Sequence, residues 1–175
     1  MRCLLDMDGV IVDLQTTITK QGGDWGNRAQ ITEIFNHASA DWWANLPISN
    51  DGREIVKIVE QAFTQKCVCL LTALPHLIEN YNPVNDGKAV EGKIRWIHKN
   101  FPMYRDQFLI GRKKFFCASS DIVLIEDDEY NVNKFIQNNG RGILLPRPWN
   151  KLRDFNSLDY LKKEGVEKIA TVGFC

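Results

Sequence analysis

No stretch of this 175-residue chain is apolar for long enough to cross a bilayer. Nor does a basic-then-apolar leader precede its first hydrophobic run, so the expected location is the cytoplasm. A surplus of charge is missing too. Lys plus Arg and Asp plus Glu number 22 each, so no global face for a polyanion is advertised and nucleic acid is not an expected partner. None of the five cysteines forms a C-x-x-C spacing, which argues against a zinc ribbon or a dithiol redox site. Cys3, Cys67 and Cys69 lie in apolar strand-like runs, Cys117 follows two phenylalanines and Cys175 is terminal. Reduced thiols acting as small hydrophobes are expected. The three histidines, His37, His76 and His98, show no metal-ligand spacing and are assigned to the surface or to loops. Repeats and low-complexity stretches are absent, and the length suits one domain with a sizeable core and room for a small inserted module.

What is present begins at Arg2-Cys3-Leu4-Leu5-Asp6-Met7-Asp8-Gly9-Val10. A short apolar run ends in two carboxylates two residues apart and then a glycine, the pattern of a strand delivering acids into a tight turn. Two such charges repel each other, and a hard cation with oxygen ligands, Mg2+, is the natural partner. Asp-x-Asp-Gly is also an ordinary turn sequence. An EF-hand loop is excluded, because the twelfth position counted from Asp6 is Thr17 rather than Glu.

Residues 14–48 differ in character from what surrounds them. They are polar and glycine-bearing around Trp25, helical in pattern from Arg28 to Ala38, and aromatic at Trp42-Trp43. We read them as a small, mainly helical cap inserted after the first strand, with 1–13 and 49–175 as the catalytic core. A helix is expected over 51–65, with Asp51 and Glu54 forming a capping box. Lys66–Leu71 then reads as an apolar strand that runs into Thr72-Ala73-Leu74-Pro75. A strand apolar on both sides between helices implies a parallel sheet covered on both faces.

Residues 81–88 read as a loop and Ala89–Asn100 as a helix, with Val90, Ile94, Ile97 and Phe101 as its stripe. Lys93 flanks that stripe, about 70 degrees from its centre, while Lys88 and Lys99 lie opposite. Strands are expected at 106–110, 121–125 and 142–145. A helix over 129–139 should bury Val132, Phe135 and Ile136 and close at Gly140 or Gly142. The tail from Pro146 reads as irregular, with one helix near 158–164.

Three strands thus end in polar chemistry: Asp6 with Asp8, Thr72, and Glu126 to Asp128. Open parallel sheets bind ligands outside those strand ends. The motifs in this order resemble the haloacid dehalogenase (HAD) superfamily of aspartate-nucleophile phosphohydrolases. Asp6-Met7-Asp8-Gly9-Val10 is similar to its first motif, the strand into Thr72 to its second, Lys93 to its third, and Ile125-Glu126-Asp127-Asp128 to its fourth. Within that superfamily the 5'(3')-deoxyribonucleotidases are most similar, through Lys93-Ile94-Arg95-Trp96-Ile97, Arg112 with Lys114, and the Trp42-Trp43 pair.

The resemblance implies an α/β, three-layer Rossmann-like fold with a parallel sheet and helices on both faces. It implies a phosphatase acting through an aspartyl-phosphate, with Asp6 as nucleophile and Asp8 as general acid and base. Thr72, Ala73 and Lys93 would bind phosphate. Mg2+ would be held by Asp6, Asp8 and Asp127, or by Asp128 in place of Asp127 if the register shifts by one. Acids at a helix start also stabilise its dipole, so Glu126 to Asp128 has a purely structural reading as well.

Two departures stand out: Glu126-Asp127-Asp128 where that family usually has Asp-Asp followed by Arg, and Ala73 where its nucleotidases often offer a hydroxyl. Trp42, Trp43, Arg112 and Lys114 are candidate substrate contacts, with the tryptophans either stacking on a nucleobase or sealing the cap against the core. The expected substrate is a small phosphate monoester, foremost a nucleoside monophosphate. A sugar phosphate is the alternative, and a polynucleotide end comes after it.

Overall fold

The computed structural model describes residues 1–75 and 82–170, and the backbone alone for 165–170. His76 and Cys175, and with them part of the expected 81–88 loop, lie outside the described residues. Five short strands form one all-parallel sheet: β1 (Arg2–Asp6), β2 (Val68–Thr72), β3 (Phe108–Ile110), β4 (Ile122–Glu126) and β5 (Arg141–Leu144). Their order is β3-β2-β1-β4-β5. The order reverses between β1 and β4, the place where an open α/β sheet leaves a crevice at its carboxyl edge.

Register brings the acids to that edge. Leu5 lies beside Ile125 across the β1–β4 pair, so the next residues along, Asp6 and Glu126, leave the sheet side by side. On the other flank Asp6 is level with Leu71, one residue before Thr72.

Helices cover both faces, unequally. Cys3, Leu5, Val68, Leu70, Val123, Ile125 and Ile143 point into the larger core, which they share with α4 (Gly52–Phe63), α5 (Asp86–Asn100) and α7 (Ser157–Ala170). Leu4, Leu71 and Leu124 face the other way, onto Phe135 of α6 (Glu129–Gln137). The apolar run of β2 is explained by burial on both sides.

Between β1 and α4 lie α1 (Leu14–Lys20), α2 (Arg28–His37) and α3 (Ala40–Ala44). Each begins at the residue whose side chain caps it: Asp13 accepts from the Thr16 amide, Asn27 from Ala29 and Gln30, and Ser39 from Trp42. Leu14, Ile18, Ile31, Phe35, Trp43 and Leu46 of this segment belong to the same buried cluster as the sheet.

Several local expectations need correction. Asp51 stands at the start of α4 but makes no capping bond. Its carboxylate takes the Arg147 guanidinium instead, at 2.7 and 3.1 Å. A charged partner gives a stronger hydrogen bond than an amide does. The helix expected from Ala89 begins at Asp86. Its buried stripe is Ala89, Gly92, Lys93, Trp96 and Ile97, one residue round from the expected one, so Lys93 sits within the buried face rather than beside it.

The reason lies in α3, which packs against α5 at Gly92. A Cβ there would sit 2.3 Å from Trp43 Cβ and 2.5 Å from the Ala40 carbonyl. Ile136 is half exposed, and α6 is closed by neither glycine. Asn139 at φ 67° takes the left-handed position, with Asn139 and Gly140 amides returning to the carbonyls of Ile136 and Phe135. The strand expected at 106–110 is only Phe108–Ile110, and the tail helix runs from Ser157 to Ala170.

Candidate active site

At the carboxyl edge of the sheet, one ligand oxygen each of Asp6, Glu126 and Asp127 lie within 4.8 Å of one another, and all three residues are buried. One cation stands among them. The Lys114 ammonium, 3% exposed, donates to Asp6 Oδ1 and, at 2.6 Å, to Glu126 Oε2. Beside this cluster the Lys93 ammonium, 2% exposed, donates to Asp8 Oδ2 and, at 2.7 Å, to Thr72 Oγ1. The other oxygen of Asp8, Oδ1, is buried without a hydrogen-bond partner. A carboxylate oxygen in that state is costly unless a ligand or water meets it.

The chain folds so as to hold these groups. After β1 it turns sharply, with the amides of Val10, Ile11 and Val12 all converging on the Met7 carbonyl. Gly9 takes φ +80°, and a Cβ on it would lie 2.2 Å from Asp127 Oδ2, so both backbone and space demand glycine there. Glu126 turns back into its own loop, where Oε1 accepts from the amides of Asp127 and Asp128 at 3.2 and 3.3 Å.

Burial governs the acidities. Asp6 is pushed well above the ordinary carboxylate range by desolvation and by Glu126, against the pull of Lys114. Glu126 rises to about 7 through burial, despite Lys114. Asp127 rises to about 6 through burial and the charge of Asp6. Burial works against the Lys114 ammonium, yet Asp6 and Glu126 outweigh it and raise its pKa. Among the described residues, once all three carboxylates are ionised they outnumber the Lys114 ammonium bonded to two of them, and the surplus is negative.

Of the residues expected at the site, Asp6, Asp8, Thr72, Lys93 and Asp127 come together, and half-buried Ala73 follows Thr72 at the same edge. Between Asp127 and Asp128 the structure distinguishes clearly. Asp127 is buried in the cluster, whereas Asp128 is exposed and caps α6, accepting from the Tyr130 amide at 2.7 Å. Lys114 was expected among the substrate contacts, yet its amine is the one bound to Asp6.

Trp43 requires the opposite correction. It is buried at 2% exposure, packed on Phe35 and Trp42, with the Lys93 ammonium 5.1 Å from its ring centre. It has no free face for a base. Trp42 instead lines a cavity of about 440 Å³ with Gln21, Gln30, Glu33 and His37. Arg112 is engaged by Asp86 at 2.5 Å and the Pro75 carbonyl.

The segment after β5 is the part sequence reasoning missed. Arg147 donates to the carbonyls of Gly9 and Val10 at 2.6 and 2.7 Å, and so ties the first loop to Asp51 and Ser157. Asn150 holds the carbonyls of Asp127 and Leu145. Trp149 Nε1 donates to Asp127 Oδ2 at 2.6 Å. The available signal was position, since Pro146-Arg147-Pro148-Trp149-Asn150 leaves a parallel strand at the same edge as the acids.

No protein-family model and no curated protein matches this chain. Among solved structures, a HAD family enzyme from Bacteroides thetaiotaomicron in complex with magnesium and inorganic phosphate is similar at 15% identity. The match covers 89% of this chain and 98% of that one, with a TM-score of 0.42. A likeness of that size carries no functional weight. No helix among the described residues is long and apolar enough to cross a membrane.

Proposed function

We propose that this chain is a Mg2+-dependent phosphomonoesterase of the HAD type, working through an aspartyl-phosphate on Asp6, with nucleoside monophosphates as its substrates. The observation that carries the reading is the cluster of Asp6, Glu126 and Asp127 beside an Asp8 oxygen that has no partner. An all-oxygen, buried set with surplus negative charge fits a hard divalent cation. Asp6, Asp127 and the Asp8 main-chain carbonyl would hold it. When bound, the ion neutralises charge on the nucleophile and the phosphoryl oxygens as the bond to phosphorus forms.

An Asp6 oxygen attacks phosphorus, the ester P–O bond breaks, and Asp8 passes its proton to the departing alkoxide. Water then attacks the aspartyl-phosphate and gives its proton back to Asp8, so that Asp6 is regenerated and phosphate leaves. Lys93 is on Asp8 in the structure. It would move to a phosphoryl oxygen as phosphate arrives, leaving Asp8 to carry the proton transfers. Lys114 stays on Asp6 and Glu126, and orients the nucleophile. Half-buried Trp149 and Trp25, with ring centres 5.9 Å apart next to Asp127, supply the aromatic surface that favours a nucleobase over a bare sugar.

An assay with Mg2+ across mononucleotides and sugar phosphates tests the whole. Phosphate release from at least one nucleoside monophosphate, abolished by chelator, is expected to exceed that from ribose 5-phosphate about tenfold or more. The absence of Mg2+-dependent release from every member defeats the proposal.

Acid–base linkage supplies a second check. Glu126 and Asp127 are raised to about 7 and about 6, so the metal-free native state binds more protons than the unfolded chain between about pH 4.5 and 7. Their contribution is therefore present at low pH and is lost as pH rises through those values. The metal-free protein is expected to melt at least about 5 °C lower at pH 8 than at pH 5. Mg2+ should restore more of that at pH 8, where its ligands are ionised. Equal Mg2+ effects at the two pH values would contradict this.

A further inference from the structure

The Trp149 indole N–H donates to Asp127 Oδ2, a bond that no phenylalanine in its place could make. Asp127 Oδ2 is pinned from two directions. The indole N–H reaches it at 2.6 Å, and it lies so near the Gly9 backbone that a Cβ there would come within 2.2 Å. The Asp127 carbonyl is held by Asn150 at 3.0 Å, and Asn150 also accepts the Arg147 amide at 3.3 Å. Trp149 is itself braced, because the Trp25 ring from the segment between α1 and α2 packs on it at a 52° tilt. The carboxylate therefore cannot rotate freely. With Oδ2 accepting the indole N–H, the orientation of the whole carboxylate beside Asp6 and Glu126 is set by Trp149.

We infer that Trp149 is a positioning residue for a divalent cation, fixing the orientation of the Asp127 carboxylate through its indole N–H. The inference rests on the metal-dependent reading above and deepens it. Outer-shell hydrogen bonds of this kind orient a ligand and commonly govern tenfold to a hundredfold in metal affinity. Trp149 touches neither metal nor phosphate in this role; it acts through Asp127 alone.

Two measurements test it, neither of them turnover. Calorimetric titration with MgCl2 should show Trp149→Phe, which keeps the ring and removes the N–H, binding Mg2+ about tenfold more weakly than wild type. Because removing the indole N–H also costs that variant a hydrogen bond, the second measurement uses the wild-type protein labelled with nitrogen-15. The indole N–H signal missing from the variant spectrum is assigned to Trp149, and it should move as MgCl2 is added, since a cation on the Asp127 carboxylate draws charge from the oxygen that accepts the indole N–H. A Trp149→Phe affinity within threefold of wild type overturns the inference, as does an indole signal that stays put at saturating Mg2+. If wild type binds no Mg2+ at all, the functional reading beneath it fails instead.

Discussion

Replacing Asp6 with asparagine is expected to lower phosphomonoesterase turnover by more than about a thousandfold, the scale seen when a nucleophile is removed from a preorganised site. The amide is nearly the same shape, but it cannot attack phosphorus. The fold should survive, because the wild-type carboxylate is held in a place that disfavours its charge, by burial and by Glu126. A neutral side chain removes that repulsion and reduces the ion pair with Lys114 to a hydrogen bond with a neutral acceptor. Thermal stability in the absence of metal is therefore expected to be unchanged or higher at pH 8. Retained turnover in a folded Asp6→Asn protein eliminates the aspartyl-phosphate scheme, whatever the substrate.

Lys114→Met should be the most damaging single change to stability. The ammonium is 3% exposed and bound to two buried carboxylates, one of them at 2.6 Å. Removing one member of a buried ion set leaves uncompensated charge, at a cost of about 3–5 kcal/mol. Urea unfolding at pH 8 without metal measures it. The loss should shrink at pH 5, because Glu126 and Asp127 titrate near 7 and 6 and are then largely protonated.

Exposed Lys113, one residue away, provides the contrast, and Lys113→Met should stay within about 0.5 kcal/mol of wild type. Combining Asp6→Asn with Lys114→Met should cost less than Lys114→Met alone at pH 8, since one of the stranded charges is gone. A Lys114→Met protein as stable as wild type at pH 8 would mean that the three acids are not ionised together, and the case for a cation among them would fall.

Asp127 and Lys93 illustrate two levels of legibility. An apolar run ending in Glu126-Asp127-Asp128 was enough to bring an acid to a strand end, because alternating strands and helices force a parallel sheet whose carboxyl edges align. Which aspartate faced inward was beyond the pattern. Either fits the turn, and the choice was made by Glu126 holding the loop amides and Asp128 capping α6. Lys93 was found by helical phase, but its depth was underestimated. Periodicity assigns a lysine to the edge of an apolar stripe, and only the close approach of α3 at Gly92 rotated the stripe onto it.

The tryptophans reversed roles for the same kind of reason. Trp43, in the aromatic run that drew attention, is sealed inside, while Trp149 in a tail read as irregular reaches the acidic cluster.

By itself, the amino-acid sequence determined the class of fold and the strand ends to which Asp6, Asp8, Thr72 and the acids of 126–128 are delivered, since these follow from local hydrophobic period and chain direction. Tertiary structure alone decided that Lys114 neutralises Asp6, that Arg147 clamps the first loop and that Trp149 holds Asp127. Each of those contacts joins residues between 22 and 138 positions apart, and no local pattern carries information about a partner that only packing brings within hydrogen-bonding distance.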